Sequence, residues 1–229
     1  MTALKAAESE APIKTAESEA AVKAAESEAA IKAAFDAGEL QRAATILLEV
    51  YGSEIYRFLV ARLRDHEMAA DVFGDFTEDL WRGIGAFRWA CSARTWGYTL
   101  ARHAASRSIK QNRRRARRDV SLSRAGPLSE IAAQVRSQTA VELRTEPKER
   151  LSALRRQLPE TEQMLLMLRV NRELPWLDIA RVLTAGTVED AMQLPAERLA
   201  AEATRLRKRF QKAKEKLRKL AEEAGLLTD

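Results

Sequence analysis

Residues 71–81 read DVFGDFTEDLW and open a longer stretch, residues 71–118, around which the rest of the chain is organised. At helical spacing the apolar residues of this segment share one face and the acidic residues share the other. The apolar set is Val72, Phe73, Phe76 and Leu80, and the acidic set is Asp71, Asp75, Glu78 and Asp79. The pattern predicts an amphipathic helix, with one face in a core and the other against solvent or a basic surface.

Aromatic and basic residues alternate in the next segment, FRWACSARTWGY, residues 87–98. Planar side chains beside arginines suit stacking on unpaired bases. Ordinary core packing is the alternative for these aromatic side chains, above all for Trp81 and Trp96. A second helical pattern follows, and its outward face carries Arg102, His103, Ser106, Lys110, Arg113 and Arg117.

Positive charge is concentrated in two places. Residues 99–118 hold eight Lys and Arg and no acid, and residues 198–220 hold ten Lys and Arg against Glu202 and Glu215. The formal net charge is only +6, so the remainder of the chain is acidic. Two basic patches on an acidic chain indicate a nucleic-acid binder with two contact regions, with solvated helix faces as the alternative.

The order of acidic helix, aromatic segment and basic helix resembles conserved region 2 of bacterial sigma factors, of the small extracytoplasmic-function (ECF) kind. In that family an Asp-hydrophobic-hydrophobic-Gln-Glu-hydrophobic-Phe run precedes a Trp, and here Gly74 stands for Gln and Asp75 for Glu. A Trp-Leu-Tyr-x-x-Ala-Arg-Asn run follows, in which Gly97 replaces Leu and His103 replaces Asn. The matching positions are Trp96, Tyr98, Ala101 and Arg102.

The resemblance implies two sets of contact residues in this first module. A clamp on core RNA polymerase (the β and β′ subunits) would use Asp71, Phe73, Asp75, Phe76, Asp79, Leu80 and Trp81. Recognition and melting of the −10 promoter element would use Phe87, Arg88, Trp89, Arg94, Trp96, Tyr98, Arg102, His103, Arg107, Lys110, Arg113 and Arg114.

The amino-terminal residues 1–34 form a nine-residue repeat whose units open at Leu4, Ile13, Val22 and Ile31. Nine residues advance a helix by two and a half turns, so successive apolar residues face opposite ways and make no continuous stripe. Favourable i,i+4 pairs support a fluctuating or exposed helix. These pairs are Glu10–Lys14, Glu19–Lys23 and Glu28–Lys32. The segment is either a dispensable extension or an acidic strap over a DNA-binding face.

Composition divides the rest of the chain. Residues 35–118 form the region 2-like domain, with a helix break expected at Gly52 or Ser53, and residues 119–146 read as a linker with one weak helix. Residues 147–229 form a second domain. Pro175 opens a helix carrying Trp176, Ile179, Ala180 and Leu183, as in a helix-turn-helix, and the domain is similar to ECF sigma region 4.

The second domain departs from that family in its turn. Glu189 and Asp190 follow a Gly-Thr-Val run, and their charge would repel phosphate, so residues 184–195 read as an insertion. The basic helix comes later. The resemblance implies that the −35 element would be read in the major groove by Thr204, Arg205, Arg207, Lys208, Arg209, Gln211 and Lys212. A basic surface helix or coiled-coil arm is the alternative.

Few residues offer catalytic or metal chemistry. Cys91 is the only cysteine, and His66 and His103 are the only histidines, so a cysteine-based metal cage or a histidine triad lacks partners. No phosphate loop and no long apolar run occur. We therefore expect a cytoplasmic protein without cofactor, metal site, enzymatic activity or membrane segment.

The expected fold is all-α, with two small helical domains. The expected function is that of a sigma factor that binds core polymerase and both melted and double-stranded promoter DNA; an anti-sigma factor is a possible further partner. A stand-alone helix-turn-helix regulator and a helical nucleic-acid-binding scaffold are the alternatives. The regulator would leave residues 71–98 unexplained, and the scaffold would not explain their acidic, aromatic and basic order.

Overall fold

A computed structural model of the 229-residue chain describes residues 22–115, 127–144 and 153–226. These residues are helical, and no strand occurs among them, which confirms the all-α fold class. Residues 1–21, which hold the first two repeat units, lie outside the described residues. So do 116–126 and 145–152, at the two ends of the predicted linker.

Within the first described range, the helices follow one another with short connections. Helix α1 covers 22–36, α2 covers Leu40–Leu63, α3 covers His66–Gly83 and α4 covers Ala93–Arg115, with a 3-10 turn at Ile84–Ala86 before α4. After α5, Ser129–Arg144, come α6, Glu160–Leu166, and a π-helical turn, Met167–Asn171. The last three helices are α7, Trp176–Thr184, α8, Val188–Gln193, and α9, Ala196–Glu223.

Helices α2, α3, α4 and α5 pack into a bundle. Its core holds wholly buried large side chains, among them Ile55, Phe58, Phe73, Phe76 and Tyr98. Helix α1 joins this core through Ile31, which is fully buried, although the repeat predicted a fluctuating or exposed helix. The sequence could not indicate this burial because the equivalent apolar residue of every unit has the same local surroundings.

Helix α2 continues through Gly52, so the predicted break at Gly52 or Ser53 is wrong. A Cβ at Gly52 would lie 3.2 Å from a Val135 methyl carbon and 3.1 Å from a Leu48 methyl carbon. The missing side chain therefore makes room for α5, which buries Leu128, Ala132 and Val135 against the bundle. A helix inside the predicted linker thus packs on the first domain.

Helix α3 begins five residues earlier than the pattern at Asp71 predicted. The Asp65 carboxylate accepts hydrogen bonds from the backbone N–H groups of Glu67, at 2.9 Å, and Met68, at 3.0 Å. This is an N-cap, which satisfies backbone donors that would otherwise lack a partner in the first turn. The polar turn after α2 is therefore only Arg64 and Asp65, with Arg64 in the left-handed conformation at φ 58°.

Helices α6, α7 and α9 form the carboxy-terminal lobe, and α9 packs on both α7 and α6. Leu165, Leu168 and Ile179 are fully buried there, and Trp176 meets Phe210 edge to face at 5.4 Å. Helices α7 and α8 also pack on α4, so the buried side chains of the lobe and of the bundle form one continuous cluster.

Candidate nucleic-acid interface

The acidic helix α3 divides as its periodicity predicted. Phe73, Phe76 and Leu80 are fully buried, so these three members of the polymerase-binding set support the helix from inside the core. Asp71 and Asp75 are exposed, and Trp81 is half-buried. Only the acidic side chains and part of Trp81 can therefore meet a partner in this conformation.

Carboxylates crowd together on this exposed face. Neighbouring atoms remove part of the water around the exposed Asp75 carboxylate, and this desolvation raises its pKa. Arg107 opposes the change, and the negative charges of Asp79 and its neighbours add to it. Asp79 itself accepts a hydrogen bond from the Arg107 guanidinium of α4. The acidic surface of α3 and the basic surface of α4 are therefore adjacent and partly neutralise each other.

The aromatic segment before α4 is a packed cluster. The rings of Phe87 and Trp96 stack with centroids 4.7 Å apart and planes at 17°, and Trp89 lies 4.9 Å from Phe87. Trp89 has a positive φ of 54°, while Lys32 of α1 lies over its ring at 5.2 Å. Phe87 is 4% exposed and Trp96 is 2% exposed, so core packing describes both rings in this conformation.

Two predicted base-contacting residues have structural partners. Tyr98 is fully buried, and its ring packs edge to face on Phe58 at 5.4 Å, so the base-stacking role predicted for Tyr98 is not available in this fold. Arg94 forms a bidentate pair with Glu54, with N···O distances of 2.7 and 2.8 Å. The sequence could not separate these residues from surface ones because their partners come from α2, about 40 residues away.

The basic face of α4 begins beneath the carboxy-terminal lobe and ends in solvent. Arg102 and His103 are half-buried, whereas Arg107 and Lys110 are exposed. Burial, followed by the nearby Arg62, lowers the pKa of Arg102 to about 10. The side chains of Arg113 and Arg114 lie outside the described residues.

His103 is held neutral at physiological pH. Burial, followed by the charges of Arg102 and Arg107, lowers its pKa to about 4, although Glu189 and Asp190 of α8 oppose the shift. A neutral imidazole can still hydrogen-bond a base or phosphate, but it contributes no charge to the basic face.

A cleft of about 640 Å³ separates α3 and α4 from α8. Phe87 and Trp96 line the cleft only through the small exposed part of their rings, and Arg82, Arg88 and Arg107 contribute positive charge. The remaining lining includes Asp79, Leu100, His103, Thr187, Val188, Glu189 and Met192. Guanidinium groups beside a cleft suit a phosphate group, whereas stacking of a base would require the two rings to become more exposed.

The second basic surface lies on α9. Leu199, Leu206 and Phe210 bury one face of this helix, while every residue predicted for the −35 element is exposed. Arg205 pairs with Glu202 at 2.6 Å, and Arg209 lies 3.7 Å from Glu162. Arg207 lies over the Trp176 ring at 5.8 Å. The face is therefore open to a partner, and its arginines are partly held by neighbours.

The predicted insertion, residues 184–195, contains helix α8. Its acidic residues have a local role, since Thr187 and Asp190 form a reciprocal capping box with two hydrogen bonds of 3.0 Å. Thr followed by an acid at the third position is the sequence signal for that cap, so these acids have a structural role besides the predicted repulsion of phosphate.

Sequence reasoning missed three residues around the site. Arg62, with its side chain 6% exposed, bridges Glu160 at 3.1 Å and Ser106 at 3.2 Å. Arg82 lines the cleft beside Trp81. Glu28 of α1 accepts hydrogen bonds from the backbone N–H groups of Ala93, at 2.8 Å, and Arg94, at 2.9 Å, at the start of α4. No local pattern distinguishes Glu28 from the matching repeat residues Glu10 and Glu19.

Comparison with known families assigns residues 47–115 to Sigma-70 region 2. The matched segment runs from the middle of α2 to the end of α4 and contains every residue predicted for polymerase clamping and −10 recognition. No curated protein matches the chain. The chain thus contains a Sigma-70 region 2 domain, which supports a sigma-factor role in transcription initiation, binding polymerase and promoter DNA. Sigma factors are transcription factors and not enzymes.

Among residues 22–115, 127–144 and 153–226, no three His, Cys, Asp or Glu side chains are grouped so that they could hold a metal ion. Within the same ranges no helix has both the length and the apolar character needed to cross a membrane.

Proposed function

We propose that this protein is a sigma factor of the ECF kind, which acts in the cytoplasm. It binds the β and β′ subunits of core RNA polymerase through α3, melts the −10 element with the aromatic segment and α4, and reads the −35 element with α9. The observation that carries the proposal is the Sigma-70 region 2 match over residues 47–115, in which the acidic, aromatic and basic surfaces of α3 and α4 are contiguous.

The exposed carboxylates of α3 support the polymerase contact. Asp71 and Asp75 project from a helix whose other face is locked in the core, so they present negative charge at fixed positions. Such a surface complements a basic coiled coil and steers association, an effect that salt screens.

The cleft supports the melting step. Unstacking a base costs a few kcal/mol, and aromatic stacking worth about 1–3 kcal/mol per base can offset that cost. Phe87 and Trp96 stack on each other beside the cleft and would become more exposed on accepting a base. Arg88 and Arg107 line the same cleft, where their guanidinium groups would pair with phosphates of a displaced strand.

The exposed face of α9 supports duplex recognition. Arg205, Lys208 and Gln211 lie on its solvent side, away from the buried Leu206 and Phe210. Long basic side chains on one helix face suit entry into the major groove, where arginine can pair with guanine through two hydrogen bonds.

The deciding experiment is run-off transcription from genomic DNA fragments with purified bacterial core polymerase, with and without the full chain. We expect discrete new transcript starts that Asp75→Ala abolishes or strongly reduces. Glu49→Ala is the matched control, because Glu49 is an exposed acid on α2 outside the proposed clamp. Transcripts unaffected by Asp75→Ala would refute the α3 contact.

A stand-alone helix-turn-helix regulator is the competing function, and the exposed basic face of α9 favours it as much as it favours a sigma factor. The same assay separates the two. A regulator would bind duplex DNA without binding core polymerase, and it would start no transcripts. A sigma factor would bind core polymerase, and with it would bind the promoter and start transcripts.

A further inference from the structure

We propose that helix α1 is part of the DNA-melting site, with Lys32 as the residue that positions Trp89 to receive an unpaired base. Helix α1 ends at residue 36 and lies outside the Sigma-70 region 2 match, which begins at residue 47. This inference rests on the proposed function, because it adds a positioning residue to the −10 contact.

Trp89 is the ring of the aromatic segment that a base can reach most directly. Phe87 and Trp96 are 4% and 2% exposed and Tyr98 is fully buried, whereas Trp89 is half-buried. A base stacks on an aromatic side chain only where part of the ring is open to it. Of these four rings, Trp89 therefore needs the least rearrangement to accept a base.

The backbone of Trp89 is strained. Its φ of 54° lies in the left-handed region, which bulky side chains rarely adopt. Such a conformation persists only where surrounding contacts hold it, and strained residues of this kind cluster at functional sites. The indole Nε1 is buried and has no hydrogen-bond acceptor within residues 22–115, 127–144 and 153–226. Packing and charge therefore hold the ring in place.

Helix α1 supplies much of that packing and charge. Phe35 meets the Trp89 ring edge to face at 5.6 Å, and the Lys32 ammonium lies over the ring, 5.2 Å from its centroid. Phe87, from the aromatic segment itself, lies 4.9 Å from the same ring. Two of these three contacts come from α1, so the position of Trp89 depends on this helix.

One face of α1 is turned toward the aromatic segment. Glu28, Lys32 and Phe35 follow one another at spacings of four and three residues, which places them on one side of a helix. Glu28 fixes the far end of the segment, because its carboxylate accepts a hydrogen bond from the Ala93 N–H at 2.8 Å. Helix α1 therefore holds the segment both at Trp89 and where α4 begins.

Lys32 is better placed to position the ring than to stabilise the fold. Its exposed ammonium lies between the Trp89 ring and the Asp36 carboxylate, whose oxygens are 2.7 and 2.8 Å away. Exposed ion pairs contribute little to stability, so removal of Lys32 should leave the Tm almost unchanged. A ring that is already held loses less conformational freedom when a base stacks on it, and the base then binds more tightly.

Backbone amide exchange in the unbound full chain, followed by mass spectrometry, tests the positioning role. Lys32→Met removes the charge but keeps an unbranched side chain, and exchange across residues 87–94 should become about three- to tenfold faster. Lys32→Arg should keep exchange slow, because a guanidinium also lies well over an indole ring.

Lys23→Met is the matched control for this measurement. Lys23 is an exposed lysine at the same position of the preceding repeat unit. Unchanged exchange in Lys32→Met, or an equal increase in Lys23→Met, would overturn the positioning role.

Transcription with core polymerase tests whether this position serves melting. Two templates carry the same promoter, one fully duplex and one with mismatched bases that leave the −10 element already unpaired. Lys32→Met should lower the transcript yield by about three- to tenfold on the duplex and much less on the unpaired template, because only the duplex must be opened. Equal losses on both templates would overturn the role in melting.

The unaltered chain keeps this inference separate from the proposed function. If it starts no transcripts from either template, the sigma-factor proposal fails. Amide exchange across residues 87–94 still decides whether Lys32 holds Trp89 in place.

Discussion

Removing the Glu28 carboxylate should destabilise the protein, because this side chain caps α4 from a different helix. It accepts hydrogen bonds from the N–H groups of Ala93, at 2.8 Å, and Arg94, at 2.9 Å, and from the Tyr51 hydroxyl at 3.1 Å. Losing a helix cap costs about 0.5–2 kcal/mol, and a part-buried donor left without its charged acceptor costs about 1–3 kcal/mol.

For Glu28→Ala we therefore expect a loss of about 2–3 kcal/mol in the free energy of unfolding. For a chain of this length each kcal/mol lowers the Tm by about 2–4 °C, so the Tm should fall by about 5–10 °C. Glu28→Gln should lose less, because its amide oxygen can still accept one of the two backbone hydrogen bonds.

Thermal unfolding followed by circular dichroism measures the effect, with urea titration as a second estimate. Glu26→Ala is the matched control, since Glu26 is an exposed acid two residues away on α1. If the Tm of Glu28→Ala lies within about 1 °C of the Tm of the unaltered chain, the change in free energy is well below 1 kcal/mol and the capping role is refuted. An equal fall for Glu26→Ala would show that helix α1 as a whole matters, and not the cap.

Four further predictions follow from the packing and charge. Gly97→Leu, which restores the residue of the sigma family, should destabilise by about 1–3 kcal/mol through overpacking, because a Cβ there would lie 3.0 Å from an Ile55 methyl carbon. Gly74→Gln, which likewise restores the residue of the sigma family, should instead stabilise the protein by about 0.5–1 kcal/mol. The reason is that a Cβ at this helical position meets nothing within 4 Å. Urea unfolding of the two variants checks whether the first is less stable and the second more stable than the unaltered chain. Arg94→Met should cost about 2 kcal/mol by leaving the half-buried Glu54 without its partner, and adding Glu54→Leu should recover part of that loss. Acidification from pH 6.5 toward 4 should destabilise the protein, because the folded chain holds the pKa of His103 near 4 and the unfolded chain takes up the proton earlier. The charged groups facing His103 are Arg102, Arg107, Glu189 and Asp190. Urea unfolding over this pH range should then show a larger loss of stability for the unaltered chain than for His103→Gln, and equal losses would contradict the assignment.

Periodicity and charge order were sufficient for the helical fold and for the main surfaces. The apolar face of α3 became core and its acidic face stayed exposed, since a helix with one apolar stripe must bury that stripe. The basic residues of α9 were likewise predicted on the exposed face. These features depend on residues within one helix, where spacing alone decides which side chains lie together.

Partners from distant helices were decided only by the tertiary structure. Glu10, Glu19 and Glu28 have the same sequence surroundings, and the contact of Glu28 with the start of α4 follows from how α1 packs on the bundle, which the repeat does not specify. Tyr98 matches a family motif but is buried against Phe58. Burial, ion pairing and the packing of α7 and α8 on α4 depend on which surfaces meet across tens of residues, and no local pattern in the sequence specifies that.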